Sequence, residues 1–575
     1  MPGQSRTSIL GGMLAIACLL GGCNLPPQGQ RPPGPRDSAS VPPHVVGTVA
    51  EYAMLTGGSD LPVRGYGIVA GLGKNGSREV PANVRDYLTQ VLLKAKELTG
   101  DSGGNVVSPR TILEDLGTSV VSLEGRIPPG APVGTPFDVL VSTPPEVQTR
   151  SLDGGVTFLP AELFLAVPGE LAGRQSHLYA TADGTIFINP FLDPTRSDDL
   201  PRLREGRIIG GGRVAEARPL RLYLFRPDYH QADLIQRRLN ERFGPDRVAA
   251  AKDSATIEVT IPREFTGDYE RFLRLLMHVP IRQTAGAWEA KAREIASAME
   301  TSGANHDELA LVWEAIGRQV LPVVQPLYES ANPAVSLYAA RTGLRFGDIR
   351  AVPVVVAVAA DKASPFRLAA IDELGRQPLS AKITPALRLL LDDQNESVRL
   401  AACDAIIRQG DQTRVTRTTL KDQFEMDRVA SAAEPMIYVS QSLRQRIVLF
   451  GNDLTVRCPM FFTAPEDLVT ISAQEGANKL TVFRKIPATG RSSQTFTIEP
   501  SVVELIRLLG TLPARQPGQE VYGLGLTYSQ VAGVLHRLCK AGDIPAGFRL
   551  QVLPEVSKIY TEGAESVGRP DMPGS

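Results

Sequence analysis

Apolar and polar residues alternate with a period of two in Phe137-Asp-Val-Leu-Val-Ser142 and in Ala255-Thr-Ile-Glu-Val-Thr-Ile261, as half-buried strands require. Elsewhere the period lengthens. Ala232, Ile235, Leu239 and Phe243 share one face of a helix over 230–243, which Gly244 and Pro245 stop. With Arg221-Leu-Tyr-Leu-Phe-Arg226 before it and the Ala255 run after it, this reads as a strand, helix, strand unit. A further helix is predicted over Ala82–Leu98, delayed by Pro81. After Gln412 the pattern returns to strands at Arg446–Phe450, Lys479–Phe483 and Gln494–Ile498, and Ser501-Val-Val-Glu504 has the spacing of a capping box that opens a helix. The fold class predicted is a mixed α/β (α+β) multidomain chain, with mixed sheets, amphipathic helices, a central all-α insertion and a strand-rich C-terminal region.

The insertion, residues 281–411, carries its own period. Leu337-Tyr-Ala-Ala, Leu368-Ala-Ala-Ile and Leu400-Ala-Ala-Cys recur at spacings of 31 and 32 residues, each preceded by Asn332-Pro, Ser364-Pro or Asn395-Glu as an N-terminal signal. Arg367 and Arg399 also repeat at one place. The pattern reads as a short HEAT-like α-repeat array over 305–411, in which small alanines let paired helices approach closely. A plain insertion of similar Ala-rich helices is the other reading, and both give the segment a role in protein binding or spacing.

At the N-terminus, Arg6 precedes an apolar run, Gly11–Gly22, shorter than the ~20 residues a spanning helix needs. Residues 1–22 are read as an export signal. Its end, Leu20-Gly21-Gly22-Cys23, resembles the lipobox of bacterial lipoproteins, which implies lipid attachment at Cys23; an ordinary signal with an incidental cysteine is the alternative. Asn24 after the cysteine favours the outer membrane by the same analogy. Residues 23–44 are Pro-rich without apolar periodicity and read as a tether. The chain then divides into a body over 45–280, the insertion, a β-rich region with a closing helix over 412–561, and a flexible tail over 562–575.

Composition narrows the function. The 575 residues are 43% hydrophobic, enough for several cores at ~150 residues per domain. Lys+Arg 61 against Asp+Glu 62 leave a net charge of -1, without the cationic field that a nucleic-acid partner requires. Gly71, Gly73 and Gly76 spell GxGxxG, but Pro81 removes the helix that must open at the third glycine, so a strand and a tight φ-positive turn are expected instead of a nucleotide site. Gly100-Asp-Ser102-Gly-Gly104 resembles the surroundings of a trypsin-like nucleophile. Ser102 follows a helix instead of a strand, and the only upstream histidine is His44, so a turn is preferred. The six histidines, His44, His177, His230, His278, His306 and His536, have no metal-ligand spacing. No catalytic residue, cofactor or metal is predicted, and the chain is not read as an enzyme. Cys403 is expected to be a small buried hydrophobe. In an exported protein Cys458 and Cys539 either pair as a disulfide or stay two thiols, and nothing local decides between them.

Ordered motifs carry a family resemblance. Gly65-Tyr-Gly-Ile-Val-Ala-Gly-Leu72, then Val121-Ser-Leu-Glu-Gly-Arg-Ile-Pro-Pro-Gly130, Gly134-Thr-Pro-Phe-Asp-Val-Leu-Val-Ser142, Ser151-Leu-Asp-Gly-Gly155 and Leu220-Arg-Leu-Tyr-Leu-Phe-Arg-Pro-Asp-Tyr229 resemble, in family order, segments of flagellar basal-body P-ring proteins. Tyr528–Leu538 falls where that family has its last amphipathic helix. The resemblance implies a periplasmic structural ring subunit that assembles with its own copies around the flagellar rod and meets the outer-membrane ring proteins. Lipobox, tether and repeats depart from the family. They support the alternative, a lipid-anchored envelope scaffold that binds a partner through its repeats, away from a flagellum.

Overall fold

The computed structural model describes residues 42–99, 108–165, 177–244, 247–281, 286–421, 423–485, 490–513 and 522–553. The export signal, Cys23, most of the tether, Ser102 and the tail lie outside them. Pro43 and His44, expected in the tether, are packed on the body. Pro43–Val45 form a 3₁₀ turn, Lys291 Nζ donates to the Pro43 carbonyl at 3.1 Å, and the His44 ring stacks on His278, so these residues are part of the body.

Helix α1 (Val49–Tyr52) runs into strand β1 (Ala53–Thr56). Next come β2 (Leu61–Ala70), helices α2 (Ala82–Thr99) and α3 (Pro109–Leu113), and strands β3 (Ser119–Ile127), β4 (Pro136–Ser142), β5 (Val156–Thr157), β6 (Ala161–Phe164), β7 (Leu178–Ala182), β8 (Ile186–Phe187) and β9 (Glu205–Val214). β2 pairs with β3, β3 with β4, β4 with β9, β9 with β7, β7 with β6 and β6 with β2, all antiparallel, which closes six strands into a barrel. Alternate residues point inward, among them Val63, Leu123, Val139, Val141, Leu163 and Ile208. Closure explains the Gly-Tyr-Gly pair of β2. A Cβ on Gly65 would stand 2.2 Å from the Glu162 carbonyl of β6, so a side chain there would hold the last two strands apart.

β10 (Leu220–Leu224), α4 (Tyr229–Phe243), β11 (Ala249–Ala251), β12 (Thr256–Val259) and α5 (Tyr269–His278) complete this region. The four residues expected on one face of α4 are its buried ones, and Asp228 caps it by accepting from the His230 amide. The strand, helix, strand unit is antiparallel: β10 pairs with β12, β11 folds onto β12, and β1 lies on the other edge.

Eight helices follow: α6 (Ala287–Met299), α7 (His306–Ile316), α8 (Leu321–Val324), α9 (Pro333–Arg345), α10 (Val352–Ala360), α11 (Arg367–Gly375), α12 (Thr384–Leu390) and α13 (Glu396–Gln409). The Leu-x-Ala-x tetrads sit on α9, α11 and α13, which pack in a row, and Asn332 and Asn395 cap their helices. The repeating leucine is fully buried only on α9, where Leu337 is part of the core. Leu368 is 46% exposed, and the buried pairs are Ala339-Ala340, Ala370-Ile371 and Ala402-Cys403, the second half of each tetrad. A second period lies between them. Pro322, Pro353 and Pro385 stand in the first turns of α8, α10 and α12, where a missing amide costs nothing, again 31 and 32 residues apart.

The C-terminal region holds β13 (Val415–Leu420), β14 (Phe424–Val429), β15 (Met436–Val439), β16 (Arg446–Phe450), β17 (Met460–Thr463), β18 (Val469–Ala473), β19 (Leu480–Arg484), β20 (Phe496–Ile498), helices α14 (Val502–Gly510) and α15 (Tyr528–Ala541), and β21 (Gly547–Leu550). The sheet β13-β14-β16-β15-β21 is mixed, the sheet β17-β18-β19-β20 is antiparallel, and α14 and α15 share one core with both. The capping box expected at Ser501 is not made. Ser501 forms a backbone bridge with Thr455, and Glu504 turns to Arg507 at 2.8 Å. The capping box is at α15, between Thr527 and Gln530.

Candidate functional site

Among the described residues, the places where the regions meet carry the most specific polar geometry. Two seams are built from different chemistry.

At the first, the barrel meets the C-terminal region. Asp138, from the Phe-Asp-Val strand β4, accepts from the Gly210 amide at 2.7 Å, the Leu443 amide at 2.8 Å and the Ser442 hydroxyl at 2.6 Å, gripping the turn between β15 and β16. Leu443 takes φ 61° there, and Gly210, at φ 59°, faces its carbonyl so closely that a Cβ would stand 2.2 Å away. On the other side of the seam, Ser529 of α15 accepts from the Ile188 amide at 3.0 Å and donates to Asp153 at 3.1 Å. Gly154, at φ 74°, lies under the Gln530 side chain. The Ser-Leu-Asp-Gly-Gly motif is thus the docking surface for α15. Phe187 meets Tyr528 at 5.5 Å and Phe191 meets His536 at 4.7 Å.

At the second seam, the β1-β10-β12-β11 sheet and its helices meet the helical insertion. Leu311 and Ala315 of α7 belong to the core of that sheet. Arg242 donates to the Ala315 and Glu314 carbonyls at 2.9 and 2.6 Å, satisfying the end of α7. Beside it Glu314, whose side chain is 1% exposed, accepts from Arg271 at 2.6 Å and Arg345 at 2.5 Å, and Arg345 reaches on to Glu373 at 2.7 Å. Burial alone would raise the Glu314 carboxyl, but Arg345, Arg341 and Arg271 together hold it below its ordinary range. Asp307 is likewise opposed by burial and held down to about 2 by Arg274 and Arg341.

Above the first seam opens a cleft of about 690 Å³. Its barrel wall is the φ-positive turn Gly71–Asn75 together with Arg150 and Asp153, and its other wall is Glu466, Leu468 and Arg537. Asn75 donates across it to Glu466 at 2.8 Å. Asp153 is reachable by solvent inside the cleft but enclosed by protein, and this desolvation raises its carboxyl above the usual range against the Ser529 hydrogen bond. The turn predicted in place of a nucleotide loop is therefore a wall of the cleft.

Cys458 and Cys539 are free thiols, each packed against the C-terminal core, and the disulfide considered from the sequence is not formed. Cys458 lies against the Val456 carbonyl, whereas Cys539 sits on α15, where burial pushes its thiol up to about 12. Cys403 is buried as expected. Among the described residues no group of three or more His, Cys, Asp and Glu could hold a metal ion, and no helix is long and apolar enough to cross a membrane. Asp138, Ser529 and Glu314 escaped the sequence reading. Asp138 stands in the Gly134–Ser142 motif, but its partners lie far along the chain.

A family profile described as "Flagellar P-ring protein" matches residues 49–288. Flagellar P-ring proteins of Geobacter metallireducens, Aquifex aeolicus and Campylobacter lari are 27%, 28% and 28% identical over 249, 229 and 228 residues, which is 42%, 38% and 38% of this chain and 62%, 57% and 59% of theirs. The chain spans about three fifths of the length of the curated relatives it matches. Over residues 49–288, in the motifs that build its barrel and the sheet beside it, the chain is similar to the flagellar P-ring proteins.

Proposed function

We propose that this chain is a structural subunit of the flagellar basal-body P ring, assembling with its own copies around the distal rod in the periplasm and supporting motility. The observation that carries this reading is the continuous match over residues 49–288, in which the family-like motifs are the barrel strands and the turns that dock α15. A closed barrel joined to its neighbours by satisfied polar contacts suits a load-bearing subunit, and a ring follows when one face of such a subunit meets a different face of the next at a rotation that closes. Export through residues 1–22, a lipid on Cys23 holding the subunit at the outer membrane, and a HEAT-like array over 305–411 that meets a further envelope protein belong to the same proposal.

Mass spectrometry of basal bodies purified from flagellated cells of the source organism tests it. The chain is expected at a level comparable to rod and hook-side ring subunits. Its absence from intact basal bodies, with recovery in the general outer-membrane fraction, overturns the ring reading in favour of a lipid-anchored scaffold, which the helical insertion independently favours.

A further inference from the structure

The cleft above the barrel seam is unusually furnished for a structural joint. Lys74, Arg150 and Arg537 line it, and none of the three has an ion-pair partner among the described residues. Lys485, also on its wall, is by contrast held by Asp467 at 3.0 Å. Arg537 is only partly exposed and its guanidinium is desolvated, with the charges of Asp153 and Asp193 as its nearest compensation. Two carboxylates, Asp153 and Glu466, face the same space. Glu466 and Asp467 both take left-handed backbone, φ 58° and 55°, in a non-glycine turn, and each is restrained by a side-chain hydrogen bond, from Asn75 and from Lys485. Consecutive non-glycine residues in that region are strained, and strain held in place at the rim of a cleft is a feature of binding sites. Leu192, Pro465 and Leu468 supply apolar walls.

We propose that this cleft binds a short peptide through its free terminal carboxylate. Arg537 receives the carboxylate, with Arg150 and Lys74 beside it; Asp153 and Glu466 accept from peptide amides and amine; and the apolar walls hold the side chains. A volume of about 690 Å³ is large for an inorganic anion and falls in the range of ligand pockets. A carboxylate on each wall disfavours a polyphosphate, and unpaired cations disfavour a neutral sugar. This site stands independently of the ring proposal, because it is formed within one chain.

The test is titration of the exported full chain with trialanine, read by isothermal calorimetry, alongside trialanine amide and inorganic phosphate. Saturable binding of trialanine is expected, weakened about tenfold or more by amidation and by Arg537→Gln, since each removes a charge-assisted hydrogen bond. Arg150→Gln, at the exposed end of the cleft, is expected to weaken it less and serves if Arg537→Gln fails to fold. Circular dichroism melting checks folding of both. Absence of trialanine binding, equal binding of the amide, phosphate binding as tight as trialanine, or binding unchanged in both variants overturns the proposal.

Discussion

The two seams hold the same body to its neighbours by opposite means. At the barrel seam one carboxylate, Asp138, is satisfied largely by main-chain amides and a hydroxyl, and aromatic rings close the rest. At the seam with the helical insertion one carboxylate, Glu314, is satisfied by guanidinium groups. The first arrangement neutralises few opposing charges and depends on backbone shape; the second concentrates charge in a dry place and depends on every partner being present. Fully matched, both hold. They fail differently when a partner is taken away.

The largest expected effect is at the charged seam. Glu314→Ala leaves Arg271, Arg341 and Arg345 facing one another without their common acceptor, and stability is expected to fall by about 3–5 kcal/mol, measured by urea unfolding. A loss under 1 kcal/mol would mean that water reaches the cluster. Asp138→Ala removes an acceptor from two amides and a hydroxyl and is expected to cost about 1.5–3 kcal/mol, with faster hydrogen exchange confined to residues 440–446. Exchange that rises equally in the helical insertion would erase the distinction between the seams. Gly154→Ala forces a side chain onto left-handed backbone beneath Gln530 and is expected to cost about 1 kcal/mol or more.

Acid separates the two seams without mutation. Asp307 is held at about 2 in the folded chain, below the value of an unfolded aspartate, so its contribution is complete above about pH 4 and is lost as pH falls toward 2. Asp411, hydrogen-bonded by Arg388 at the end of the insertion, is also held at about 2 and adds in the same window. Asp153 has the other sign. Its carboxyl is raised, so taking up a proton relieves the barrel seam. Helical signal is therefore expected to melt before strand signal between about pH 4 and pH 2, and Asp307→Asn, which removes that contribution at every pH, is expected to widen the gap by moving the helical transition to higher pH, both read by circular dichroism.

What was legible in the sequence was local. The face of α4 and the alternation of β4 follow from residues within a few positions of one another, and they stand as expected. The repeat was half legible, because leucine drew attention to a position that turns outward on α11 while the small residues after it carry the packing. The proline period between the tetrads was available and would have placed α8, α10 and α12. Barrel closure was not legible, since alternation shows that a strand has an inner face and not which strand it meets. Nor was the grip of Asp138 on Ser442, which joins residues 304 positions apart. Ser501 and Thr527 show the limit of short motifs: both have capping spacing, and only Thr527 is free of a competing backbone bridge.

The anchorage of Pro43 and His44 has a mechanical meaning. Lys291 belongs to α6 and His278 to α5, so any tension applied at residue 42 enters between the P-ring-like region and the helical insertion. No barrel strand lies in that path to be unzipped from its neighbour. Tension there would be shared by two packed helices at a corner and would reach the closed barrel only through them.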